Sequence, residues 1–224
     1  MRLAVFDLDH TLLAGDSDYL WGEFLVEQGL VDGEIYAREN KRYYEEYLNG
    51  TLDIAAFAAF SLAPVVKHGA EKLAALRPRF VREKIEPIVA PGTFHLLERH
   101  RAQGDQLIIT TATNRFITEP IAKLLGIDVL IATDPEIIRG TFTGKIAGVP
   151  NFREGKLVNL KRWCGGRTFS GMSVYSDSHN DLPLLEAADH PIAVDPDDRL
   201  RAHALRSNWP VISLRNLSSV VLAE

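Results

Sequence analysis

The sequence predicts an α/β fold: a Rossmann-like, three-layer parallel sheet core with a helical subdomain inserted directly after its first strand. Three observations carry this expectation. Short apolar runs recur at Leu3–Phe6, Leu107–Thr111, Val129–Ala132, Ser173–Ser176, Ile192–Val194 and Val211–Ser213. They are apolar throughout rather than alternating, as strands covered on both faces must be. Helix-period segments separate most of them, the pattern of strands joined by crossover helices. One long interval, from about Asp16 to Lys84, breaks the alternation.

Taken in order, Leu3–Phe6 is the first strand, and it runs into Asp7-Leu-Asp9. The interval that follows holds helix-like stretches at Tyr19–Gln28, Gly33–Leu48, Ile54–Leu62 and Ala70–Arg82, and no convincing strand. It is too long for an ordinary crossover, so residues 16–84 are expected to form a separate helical unit. Residues 1–15 and 85–224 then make the α/β core. Strand two is followed by a helix over Phe116–Leu125, and strand three leads into a small hairpin within Ile131–Ile146, marked by Gly140 and Gly144. Helices at Glu154–Trp163, Asp181–Ala188 and Asp198–Leu205 complete the alternation.

Bulk composition narrows the function. The chain has 224 residues, 46% of them hydrophobic and 25% charged, which is enough apolar material for a sizeable core. A formal net charge of −5 without blocks of like charge offers no footprint for nucleic acid and no basic face for anionic membranes. Any anionic ligand must be held by local groups. The lone Cys164 excludes an internal disulfide and has no neighbour at metal-ligand spacing. The apolar run before Asp7 is far shorter than a signal-peptide core, and the longest apolar stretch, Ile54 to Val66, is interrupted by Ser61 and Pro64. A cytoplasmic protein is expected.

In doubly wound sheets, ligands bind at the carboxyl ends of the strands. The polar residues there are one-sided: Asp7-Leu-Asp9 after strand one, Thr110-Thr111-Ala112-Thr113 at the end of strand two, and Ser176-Asp177-Ser178-His179-Asn180-Asp181 after strand four. Lys156 opens the helix leading into strand four. Converging carboxylates repel one another unless a cation sits between them. Mg²⁺ suits such a set, since it takes a few oxygen ligands and completes its shell with water and phosphate oxygens. With a fixed cation at Lys156 and donors from Thr111 and adjacent backbone N–H groups, the set suits a phosphoryl group. The chemistry implied is in-line attack by one Asp and proton transfer by the other.

Taken singly, these residues have ordinary readings: Asp7 as a cap, Thr111 as a strand residue, Lys156 as a solvated helix lysine and Asp181 as a helix N-terminal acid. Only their conjunction outweighs those. The Gly-Lys pairs at 144–145 and 155–156 lack P-loop spacing.

Together, Asp-Leu-Asp-His-Thr-Leu-Leu, Thr111, Lys156 and Ser-Asp-Ser-His-Asn-Asp-Leu-Pro resemble the four motifs of the haloacid dehalogenase superfamily of phosphatases. The helical insert resembles that superfamily's C1-type cap, in the phosphoserine-phosphatase-like branch. The resemblance covers nearly the whole chain. It implies Asp7 as nucleophile, Asp9 as acid/base, Thr111, the neighbouring Ala112 and Lys156 as phosphate ligands, and Mg²⁺ held by Asp7, Asp9 through its backbone carbonyl, Asp177 and Asp181, with Asn180 in support.

The resemblance also bears on the substrate. Phosphoserine phosphatases place a Glu shortly after the second Asp and a carboxylate-binding Arg further into the cap. Here Asp16 stands near the first position, and the run Phe57-Ala-Ala-Phe-Ser61 holds no Arg. Asp16, Asp18 and Glu23 are instead placed to receive an ammonium or imidazolium, so an amine-bearing phosphate monoester such as histidinol phosphate is the expected substrate. Phosphoserine is the alternative, and a phosphomutase or a non-catalytic phosphate sensor are the readings of other classes.

Overall fold

The computed structural model describes residues 1–216. Six strands form one parallel sheet in the order β3-β2-β1-β6-β7-β8: β1 (Leu3–Phe6), β2 (Gln106–Asn114), β3 (Val129–Thr133), β6 (Met172–Ser176), β7 (His190–Val194) and β8 (Val211–Ile212). Strands β4 (Pro135–Ile138) and β5 (Thr141–Ile146) form a separate antiparallel hairpin. The hairpin starts at Pro135 because Ile131 belongs to the β3 ladder.

Both faces of the sheet are buried. Along β1, Ala4 and Phe6 enter one apolar cluster while Leu3 and Val5 enter the other, which is why this strand reads as a continuous hydrophobic run. Helices α6 (Thr93–Ala102), α7 (Arg115–Leu124), α8 (Glu154–Cys164), α9 (Leu182–Leu185) and α10 (Asp198–Arg206) belong to the α/β portion. The chain winds outward from β1 through β2 and β3, then returns to β6 on the other side of β1. That reversal opens a crevice at the carboxyl ends of β2, β1 and β6.

Between β1 and β2 lie α1 (Ser17–Glu27), α2 (Gly33–Asn49), α3 (Ile54–His68), α4 (Ala70–Ala74) and α5 (Arg77–Phe80). Asp16, Asp32 and Asp53 cap the first three by accepting backbone N–H hydrogen bonds. Gly22 is required for the approach of α2 to α1, since a Cβ there would sit 2.3 Å from the Tyr36 ring. Helix α3 continues six residues past its expected end at Leu62, through Pro64, because Val65 is buried in the core. The expected helix over Ala70–Arg82 is instead broken into α4 and α5, with Pro78 in the first turn of α5, where its missing N–H costs nothing. Pro183 likewise stands in the first turn of α9, which is shorter than expected and follows a tight turn over His179–Asp181. No helix among the described residues is long and apolar enough to cross a membrane.

Candidate active site

Two carboxylates at the end of β1 face different partners. Asp7 is extended and buried. The chain then makes one wide turn, closed by the Leu13 N–H donating to the Leu8 carbonyl at 3.0 Å. Within it Asp9 is extended and His10 adopts φ 57°, a left-handed conformation uncommon outside glycine. The turn directs Asp9 away from Asp7. Asp9 Oδ1 accepts the Ser17 N–H at 2.6 Å, and Oδ2 accepts the Thr113 hydroxyl at 2.9 Å and the Thr111 hydroxyl at 3.3 Å.

Asp7 faces Lys156 instead. The buried Lys156 ammonium donates to Asp7 Oδ1 and to Asp181 Oδ2, both at 2.7 Å. Gly155 permits this placement, because a Cβ there would lie 1.9 Å from the Pro150 carbonyl oxygen. Asp181 Oδ2 also accepts the Ser176 hydroxyl at 2.7 Å. Across the crevice Thr11 donates to Asp177 Oδ1 at 2.8 Å, and its oxygen accepts the Asp177 N–H at 3.0 Å. The same hydroxyl lies 3.5 Å from Asp7 Oδ2, so Asp7 and Asp177 adjoin.

Charge is unevenly compensated here. Burial, then the neighbouring Asp7, pushes the Asp177 carboxyl well above the ordinary range. Burial also raises Asp181, with Lys156 opposing and Asp7 adding to the rise. For Lys156 burial favours the neutral amine, but Asp181 and Asp7 outweigh it and raise its pKa. Burial and the nearby Asp16 raise Asp9, favouring a carboxyl that holds a proton.

The expected metal ligands divide accordingly. Asp181 is committed to Lys156 and Ser176, and the Asp9 carboxylate is turned toward β2. Among the described residues no three acidic, His or Cys side chains are disposed to hold a metal ion as they stand. The adjoining Asp7 and Asp177 supply hard oxygen donors, and the raised Asp177 marks a place short of positive charge, so the residues fit Mg²⁺.

The cavity above is lined by Asp7, Asp9, Thr111, Ala112, Thr113 and Lys156 from the α/β portion. The insert contributes Asp16, Asp18, Asn40, Tyr43, Tyr47 and Phe57. Asp16 caps α1 and stands 4.0 Å from His10 Nε2. Glu23, expected near the amine, is exposed and lies outside this cavity, because α1 turns it to the outer face. Asn180 lies beside the cavity rather than in its wall: its amide reaches the Tyr47 carbonyl at 3.4 Å and its oxygen accepts from Arg153 Nε at 3.2 Å.

Asn151 escaped the sequence reading. It is fully buried, and its NH₂ faces Thr110 Oγ1, the Thr111 carbonyl and the Ile131 carbonyl, each at 2.9 Å. There the β2–β3 register shifts between Thr110 and Asn114. The shift lifts Thr111–Thr113 out of the ladder toward the cavity, and Asn151 satisfies the carbonyls it frees. Thr11 and Ser61 lie in segments the sequence singles out, and their contacts to Asp177 and Asp18 appear only in the fold.

The sequence profile of the haloacid dehalogenase-like hydrolases matches residues 4–186. A histidinol-phosphatase of Neisseria meningitidis is 39% identical over 220 residues, covering 96% of this chain and 99% of that one. A protein of unknown function from Bordetella pertussis Tohama I superposes with a TM-score of 0.89 at 43% identity, covering 95% of this chain and 98% of that one. A phosphoserine phosphatase solved as an analogue of its phospho-aspartyl intermediate has a TM-score of 0.68 at 17% identity, over 96% and 93% of the two chains, and shows the shared fold.

Proposed function

The chain belongs to the haloacid dehalogenase-like hydrolases, and from that premise we propose a phosphatase of small phosphate monoesters that bear a cationic amine or imidazole, histidinol phosphate first among them. The observation that carries the reaction is the division of the two strand-end carboxylates. Asp7 is held by Lys156 on one side, and Asp9 is held by Thr113 and the Ser17 N–H on the other. An Asp7 oxygen forms a bond to phosphorus as the ester P–O bond breaks, and the Asp9 carboxyl gives its proton to the departing alkoxide. Asp9, now ionised, takes a proton from water as that water attacks phosphorus, and the P–O bond to Asp7 breaks to release inorganic phosphate.

Lys156 and the backbone of Thr111–Thr113 bind the phosphoryl oxygens in this reading. Mg²⁺, held by Asp7, Asp177 and the Asp9 backbone carbonyl, would supply the positive charge that lets a carboxylate approach a phosphate dianion. The helical insert, residues 16–84, serves as the cap that faces the leaving group and excludes water, and the proposed setting is cytoplasmic.

Two features support the amine-bearing ester. A relative matched along nearly its whole length carries the name histidinol-phosphatase. Among the described residues, the cavity wall contributed by the insert holds Asp16 and Asp18 and no Lys or Arg, so the carboxylate of phosphoserine finds no cationic partner there. The test is phosphate release under Mg²⁺ from histidinol phosphate, phosphoserine, phosphoethanolamine and phosphocholine. The highest kcat/KM is expected for histidinol phosphate, with activity lost in EDTA and restored by Mg²⁺. A clear preference for phosphoserine overturns the substrate, activity undiminished by chelator overturns the metal, and a requirement for a bisphosphate activator indicates a mutase.

A further inference from the structure

We propose that Asp18 is the residue that selects the cationic leaving group, through a pocket that Ser61 and Asn40 complete. The proposal rests on the phosphatase reading above and adds to it the atoms that recognise the amine. Asp18 lies in the first turn of α1, lines the cavity, and is only 6% exposed. The Ser61 hydroxyl of α3 donates to Asp18 Oδ1 at 2.6 Å, and Asn114 Nδ2 in turn donates to Ser61 Oγ at 3.0 Å. The charged groups facing Asp18 are Asp16 and Asp9, both acidic. A carboxylate removed from water with no cationic partner is costly, and its neighbours make it more so. A positive charge arriving with the substrate would relieve that cost.

Asn40 is the independent sign that a ligand belongs here. Its side chain lines the same cavity, is only 6% exposed, and makes no hydrogen bond among the described residues. With the residue so largely buried, its unpaired amide is left facing the cavity, where it matches the N–H or hydroxyl of a polar leaving group. Tyr43 and Phe57 add an aromatic part of the wall, packed edge-to-face with ring centroids 5.3 Å apart, and Arg42 already covers the Tyr43 ring, so the charge of a cationic ligand falls to Asp18. Asp16 is less suited to the role, being already hydrogen-bonded by the Tyr19 N–H and more open to water. The sequence segment where a phosphoserine phosphatase carries its Arg thus ends, in this chain, on a serine that orients an acid. The charge preference of the pocket is reversed.

The experiment compares histidinol phosphate with p-nitrophenyl phosphate, whose leaving group carries no amine, in the wild-type chain and in Asp18→Asn. The substitution keeps an acceptor for Ser61 and removes the charge. The ratio of kcat/KM between the two substrates is expected to fall on the order of 30-fold, mostly through KM. An unchanged ratio overturns the assignment. Inhibition of wild-type p-nitrophenyl phosphate hydrolysis requires no variant: histidinol should compete and glycerol should not, and equal inhibition by the two overturns the proposal. Failure of the wild-type chain to release phosphate from p-nitrophenyl phosphate would instead overturn the phosphatase reading itself.

Discussion

The Lys156 ammonium lies 2.7 Å from Asp7 Oδ1, and both groups are almost wholly buried. The pair forms because α8 begins at Glu154, pressed against Pro150 through Gly155, so that its third residue points into the crevice. The same ammonium holds Asp181. Removing it leaves two buried carboxylates without a cation, which costs about 3–5 kcal/mol. Lys156→Met is therefore expected to be destabilised by that order in denaturant unfolding at pH 8. The loss should be smaller at pH 5, where the orphaned carboxyls take up protons, and phosphate release should fall below detection.

Asp7 and Asp9 look alike in sequence and should fail differently. Asp7→Asn removes the proposed nucleophile, so no p-nitrophenol is expected from p-nitrophenyl phosphate even in the first turnover. Asp9→Asn retains an acceptor for the Ser17 N–H and a polar group toward Thr113. The p-nitrophenolate leaving group needs no proton, so this variant is expected to show a burst of p-nitrophenol equal to the enzyme, then steady turnover lowered by about 10²–10⁴. Rapid-quench measurement separates the two outcomes, and a burst from Asp7→Asn would refute the assignment of roles.

Much of the fold was legible because the central strand β1 is buried on both faces, which imposes an unbroken apolar run on the sequence, and β6 and β7 keep short apolar centres beside it. Asp7, Lys156 and Asp177 were legible because each stands just after a strand or at a helix start, and Thr111 because the apolar run of β2 turns polar there, although β2 itself continues to Asn114. What stayed hidden depends on distant contacts. Asn151 resembles any polar loop residue until β2 and β3 are seen to part beside it. Pro64 suggests a helix end, yet the burial of Val65 carries α3 through it. Glu23 and Asp18 are equally acidic in sequence; only the rotation of α1 turns one outward and buries the other.

The bond network of Asn151 makes it a positioning residue for Thr111. Asn151→Ala leaves the Thr111 and Ile131 carbonyls buried without a donor, expected to cost about 1–3 kcal/mol in thermal or denaturant unfolding. Asn151→Asp should be worse, since it sets a carboxylate against those carbonyls. A displacement of Thr111 should lower kcat for p-nitrophenyl phosphate and weaken competitive inhibition by inorganic phosphate in step with it. A variant that loses stability but keeps wild-type inhibition by phosphate would show Asn151 to be structural only.

Asp18 gives a pH dependence whose sign is fixed. Burial, with Asp16 adding to it, pushes the Asp18 carboxyl up to about 7, and the Ser61 hydroxyl only partly opposes this. Between the ordinary carboxylate range near pH 4 and about pH 7, the folded chain therefore holds a proton that the unfolded chain has released. Stability falls as pH rises through that window, by up to about 1.4 kcal/mol per unit, and levels off above it. Asp18→Asn removes this contribution. Wild-type and variant should match most closely near pH 4 and diverge as pH rises, with the variant the more stable at pH 8 in thermal unfolding. Saturating histidinol at pH 8 should narrow the gap by stabilising the wild type more. A gap that is constant from pH 4 to pH 8 would show that Asp18 keeps its charge throughout, and that burial in this pocket does not suppress its ionisation.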